Sequence, residues 1–300
     1  INASALTGTN KVTVDLSGMT TDQNMIVTTG EGADTIKTKA AQLTASDTLN
    51  GGAGTDTLEF VDQVNFSSST MFGGVSNIET IKLSDATASN AQTLTLANSA
   101  VLNTVDASTI TGIVTINGSA FTNALTITTG TGADVITVGS GANTVTAGDG
   151  DDKVIITSAA LADGNADTLS GGVGSDTLEV TGTTAIADGK LSAITGFETI
   201  ALTGSGDKSI AVGTNAKAGG VTTVDASTTS GANTINASAF NGTISLKGGS
   251  GVDTITAGTG STTIEAGGGD DIITIDATTF DLNDTIDGGA GIDTLVLTGI

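Results

Sequence analysis

Residues 248–274 divide into three consecutive nines, GGSGVDTIT, AGTGSTTIE and AGGGDDIIT, and residues 129–155 divide likewise into TGTGADVIT, VGSGANTVT and AGDGDDKVI. Successive copies near G-G-x-G-x-D-x-U-x, with U apolar, constrain the fold more than any other feature of the chain, because nine residues hold one tight turn and one very short strand. Glycine in the second and fourth places permits the backbone angles and close approach that such a turn requires. The last residues of each nine alternate apolar with Thr or charge, as in Thr144-Val145-Thr146, which reads as a strand with one buried face. Ile136, Val145, Val154, Ile255, Ile264 and Ile273 are therefore the expected core ladder. Two nines make one coil of an all-β, parallel β-solenoid whose turns alternate between two edges, so residues 18 apart stack on the same edge.

A longer repeat encloses the short one. DTLNGGAGTDTLEF starts at Asp47, DTLSGGVGSDTLEV at Asp167 and DTIDGGAGIDTLVL at Asp284, and TVDAS and IN(G/A)SAF recur at the same interval of about 119 residues. The expected organisation is one continuous solenoid over 1–300, with internal units 1–115, 116–234 and a truncated 235–300. Both ends fall inside units, which reads as part of a tandem array in which repeats stack to complete one core. Strand-sized apolar pieces continue between the nonapeptide blocks, so the coil is expected to run on there without metal loops.

Each turn offers backbone carbonyls and one carboxylate, and two stacked turns can surround a hard cation with six or more oxygens, which is what calcium requires. The 18-residue spacing pairs Asp134 with Asp152 and Asp253 with Asp271, with carbonyls from the turns of Gly130, Gly132, Gly148, Gly150, Gly249, Gly251, Gly267 and Gly269. Asp34, Asp56, Asp176 and Asp293 occupy the same motif position as further metal candidates. Asp34 has Leu16 where an acid is expected 18 residues earlier. Asp56, Asp176 and Asp293 sit nine residues after Asp47, Asp167 and Asp284, on the opposite edge from them, and need a same-edge partner that the spacing does not supply. Asn143 and Thr262 stand where Asp is expected, which makes those sites weak or empty. Isolated acids such as Asp62, Asp85 and Asp207 read as turn residues, and Glu79 and Glu198 as exposed strand positions.

The composition narrows the function. The chain has no His, Cys, Tyr, Trp or Pro, and its nine cationic residues are all Lys, so it lacks the usual neutral-pH base, thiolate and guanidinium. Enzymatic activity is not expected. A net charge of −23 opposes nucleic acid and anionic membranes and favours a cation. No run of apolar residues is long enough to span a bilayer.

The nonapeptides GGSGVDTIT, AGDGDDKVI and GGAGIDTLVL resemble those of RTX (repeats-in-toxin) calcium-binding proteins. That family's β-rolls leave bacteria by type I secretion and fold outside the cell on meeting calcium. The linking pieces VDASTITG, INASAF, NIETIKLS and GFETIALTG, rich in Thr, Ala and Ser, resemble RTX-type S-layer proteins of Gram-negative bacteria and related surface adhesins. The resemblance implies several bound Ca2+ ions and a ligand role for the aspartates named above. It also implies an extracellular, cell-surface structural protein that self-associates into a lattice or fibre and meets surface polysaccharide through regions outside this chain. The alternatives are the stalk of a large adhesin or the secretion and folding module of a longer enzyme.

Overall fold

Strands of three to five residues recur along the whole chain and pair only in parallel, as a turn-and-strand nonapeptide requires. The structure is a computed structural model that describes residues 1–19, 23–85, 87 and 89–299. It divides into two compact units, Ile1–Asp152 and Lys153–Ile300. Each is a parallel β-solenoid, and among the described residues the α-helices are two five-residue pieces, Ser158–Ala162 and Thr214–Ala218.

In the first unit the longest run of stacked strands is Thr13–Asp15, Thr35–Thr38, Thr57–Phe60, Thr80–Leu83, Thr104–Asp106, Thr126–Thr128 and Thr144–Thr146. Their register places Val14, Ile36, Leu58, Ile81, Val105, Ile127 and Val145 in one column, each buried. Burying one such side chain contributes roughly 2 kcal/mol, so the column is a main source of cohesion between coils. The opposing strands Gln92–Thr95, Val114–Asn117 and Val135–Thr137 supply Leu94, Ile116 and Ile136. One register step outward, Thr13, Thr35, Thr57, Thr80, Thr104, Thr126 and Thr144 form a file of β-branched residues. A further step places Asp15, Lys37, Glu59, Lys82 and Asp106 in alternating sign, with Lys37 Nζ 2.9 Å from Glu59. A shift of one residue would bury the charges and expose the apolar column, so apolar and charged columns together specify the register.

The second unit repeats the plan. Val154, Leu178, Ile200, Val224, Leu246 and Ile264 stack on one sheet, and Ile210, Ile235, Ile255 and Ile273 on another, all buried. The six residues expected as the core ladder are all buried. Coils continue through the pieces without nonapeptides, where Phe121 and Phe240 of the two IN(G/A)SAF segments plug the turn with a buried ring. Among the described residues no helix is long and apolar enough to cross a membrane.

Candidate metal centre

Parallel stacking carries the sixth residue of each nonapeptide directly over its counterpart in the next coil. The Asp134 amide donates to Asp152 Oδ1 at 2.7 Å, and the Asp253 amide to Asp271 Oδ1 at 2.7 Å, all four side chains being buried. Both 18-residue pairs are therefore brought together. The same contact recurs beyond them: Asp134 Oδ1 accepts from the Val114 amide at 2.7 Å and Asp253 Oδ1 from the Asn233 amide at 2.6 Å. The result is a ladder of carboxylates, each bonded to the backbone of the coil before it.

The ladder also contains partners that the 18-residue spacing misses. Asp34 stacks not on the Leu16 side but against Asp56, its amide donating to Asp56 Oδ1 at 2.7 Å, 22 residues away. Asp271 bonds Asp293 in the same way at 3.1 Å, again across 22 residues. The rung after Asp56 is Glu79 and the rung after Asp176 is Glu198, whose Oε2 atoms accept the Asp56 and Asp176 amides at 2.7 Å. Glu79 and Glu198 are thus neither exposed nor in strands, contrary to the sequence-based expectation; they precede their strands, half-buried, as the terminal rungs of the ladder. Asp47 and Asp284 share a feature with Asp34 and Asp253, whose Oδ1 atoms accept from the Val12 and Asn233 amides and whose Oδ2 atoms accept from the Gly30 and Gly249 amides at 3.0 and 2.5 Å. Asp47 accepts from the Met25 and Thr44 amides at 2.6 Å each, and Asp284 from the Thr262 and Asp281 amides at 2.8 and 2.9 Å, so both oxygens of each are already committed to N–H donors.

The glycines are demanded by how tightly the turns nest. A Cβ on Gly148 would lie 2.0 Å from Gly130 O and one on Gly150 2.4 Å from Gly132 O, and both residues hold positive φ, +104° and +125°. Gly267 and Gly269 repeat this over Gly249 and Gly251. Where the first motif glycine is replaced by threonine the hydroxyl is used: Thr129 Oγ1 donates to Ala147 O of the next coil at 2.6 Å.

The turn carbonyls face the sixth side chain, and two of the turns without an acid demonstrate it. Asn143 Nδ2 donates to Gly139 O at 3.1 Å and to Gly141 O at 2.7 Å, and Thr262 Oγ1 donates to Gly260 O at 3.1 Å. An ionised aspartate in that place has no hydrogen to give. At Asp56 and Asp271 the second carboxylate oxygen, Oδ2, is buried without a hydrogen-bond partner. Burial pushes the Asp56 carboxyl up to about 6, the charges of Glu79 and Asp34 adding to it against the Asp34 amide bond. Burial likewise raises Asp134, and it raises Asp271 with help from the charges of Asp253, Asp293 and Asp270. A cation among these oxygens would offset all three shifts, because it favours the charged carboxylates that burial disfavours. Among the described residues no three acidic side chains converge, so such an ion would be held by one or two carboxylates and mainly by carbonyls. An all-oxygen set of that kind suits calcium.

The family model of the RTX calcium-binding nonapeptide repeat (4 copies) matches residues 44–60, 126–155, 161–179, 247–276 and 279–296. No curated protein matches the chain. The matched segments contain Asp56, Asp134, Asp152, Asp176, Asp253, Asp271 and Asp293, and the match supports an RTX repeat protein.

Proposed function

We propose that this chain is the calcium-rigidified structural segment of a secreted bacterial surface protein, and that the protein assembles into a surface layer. The observation that carries the calcium reading is the contrast within the turns: donors stand at Asn143 and Thr262, where the turn carbonyls are satisfied from the chain, and unpartnered oxygens at Asp56 and Asp271. Asp34 with Asp56, Asp134 with Asp152, and Asp253, Asp271 and Asp293 would hold the ions with carbonyls of their glycine turns; Asp176 would act with Glu198. The ion supplies the positive charge that lets buried carboxylates stay ionised. The chain's own residues set its place, through the nested glycines and the amide bonds that orient each carboxylate.

Because an unfolded chain has no preformed site, ion binding and folding are coupled. Circular dichroism is expected to show a β-rich protein at millimolar calcium and loss of that signal in EGTA; an identical spectrum in both would overturn the calcium reading. The surface-layer role rests on the Thr-rich linking segments and on the lack of catalytic side chains. A periodic array on isolated cells, shed by EGTA, would support it, and isolated filaments would assign the segment to an adhesin stalk instead. A catalytic domain in the full gene product would make it a folding module.

A further inference from the structure

Lys208 is 3% exposed, and its ammonium is spent on backbone carbonyls. Nζ donates to Gly182 O at 2.8 Å and to Ser205 O at 3.0 Å. The ion pairs found among the described residues, Lys37 with Glu59, Lys153 with Glu179 and Lys247 with Glu265, do not include it. A buried ammonium without a carboxylate is costly unless its hydrogens are well placed, so its position needs a reason.

The register supplies one. Residues 203–211 read TGSGDKSIA, a nonapeptide with glycine at the second and fourth places and Lys208 at the sixth, where the motif has Asp. Gly204 and Gly206 have φ of +83° and +81°, the left-handed backbone also seen at Gly148 and Gly150. Lys208 is also the first rung of the second unit's ladder. Its amide donates to Asn233 Oδ1 at 3.3 Å, the Asn233 amide to Asp253 at 2.6 Å, the Asp253 amide to Asp271 at 2.7 Å and the Asp271 amide to Asp293 at 3.1 Å. The cavity that Lys208 lines with Val180, Ile186 and Leu202 has a volume of about 10 Å³, room for no more than about one water.

We propose that Lys208 is a tethered cation that takes the place of a calcium ion in this ladder, so that its turn closes without metal and, through the intervening Asn233 coil, gives the calcium-dependent turns at Asp253, Asp271 and Asp293 a permanently ordered base to stack on. The proposal rests on the calcium reading of the ladder. It differs from the donor substitutions at Asn143 and Thr262 in that the chain supplies a full positive charge, the property that distinguishes an ion from a hydrogen-bond donor.

The test is the number of calcium ions bound by the whole chain, by equilibrium dialysis, together with amide exchange of the segment 199–212, for the wild type, Lys208→Met and Lys208→Asp. At saturating calcium Lys208→Met is expected to lose protection in that segment by roughly tenfold or more, since two bonds to a charged donor are removed, and further calcium does not restore it. Lys208→Asp is expected to be loosened at low calcium, to recover protection as calcium rises, and to bind one ion more than the wild type. If Lys208→Met fails to fold, the recovery of Lys208→Asp still decides. A wild type that binds its ions normally while Lys208→Asp gains neither an ion nor protection would overturn the proposal. A wild type that binds no calcium would instead overturn the reading of the ladder beneath it.

Discussion

Two turns nine residues apart in the first unit, ending in Asn143 and Asp152, share both motif glycines, VGSGAN and AGDGDD, and solve the same problem differently. Both wrap glycine carbonyls around the sixth side chain. At Asn143 the side-chain amide donates to two of those carbonyls and the turn is complete within the chain. At Asp152 the side chain is an acceptor, stacked on the Asp134 amide, and on the proposed calcium reading the balancing charge comes from solution. On that reading, exchanging an NH2 group for an oxygen decides whether a coil of this solenoid is permanent or conditional. A protein can in this way distribute calcium dependence along its length without altering its backbone.

The largest expected effect comes from destroying the geometry that both turns share. Gly148→Val would place a branched side chain at positive φ within 2.0 Å of Gly130 O, and should cost about 3 kcal/mol or more, read as a lowered urea midpoint at saturating calcium. Next are the exchanges that convert one kind of turn into the other. Asn143→Asp should leave the calcium-loaded protein folded but destabilise the chelated protein by about 1–3 kcal/mol, because two turn carbonyls lose their donors. The reverse change, Asp134→Asn, should remove at least one bound ion while making its turn less sensitive to EGTA, measured by calcium stoichiometry and by amide exchange of residues 130–137. Equal loss of stability with and without calcium in either variant would break the comparison.

The smallest effect is the pH dependence of the metal-free protein. Burial raises the folded pKa of Asp56 to about 6 from the ordinary 3.8, so between those values the folded chain binds the proton that the unfolded chain releases. Stability in EGTA should therefore decline as pH rises from about 4 through about 6. Asp56→Asn should flatten that slope, and a slope unchanged by the substitution would assign it to general repulsion among the acids. At millimolar calcium the ion competes with the proton, so binding should weaken below about pH 6.

Much of this was legible in the nonapeptides themselves. Their period predicted the short parallel strands, the buried column through Ile136, Val145, Val154, Ile255, Ile264 and Ile273, and the stacking of Asp134 on Asp152 and of Asp253 on Asp271. The 22-residue partners were not legible by the same rule, because the coils from Asp34 to Asp56 and from Asp271 to Asp293 carry longer loops, such as the one containing the 3-10 turn Ala40–Gln42. Glu79 and Glu198 were missed because ETI resembles an ordinary strand entrance; only their place above Asp56 and Asp176 gives the longer carboxylates a backbone amide to cap.

What the sequence determined alone is the repeating local chemistry: glycine where no Cβ fits, an apolar residue where a strand faces the core, and an acid or a donor at the sixth place. Those identities are written into each nine-residue segment. Which acid meets which, and which residue supplies the positive charge at each turn, was decided by tertiary stacking, because loop length sets the register between coils. A carbonyl-lined turn becomes an ion site, a self-closed corner or, at Lys208, a tethered cation only when the neighbouring coil brings its own oxygens within reach.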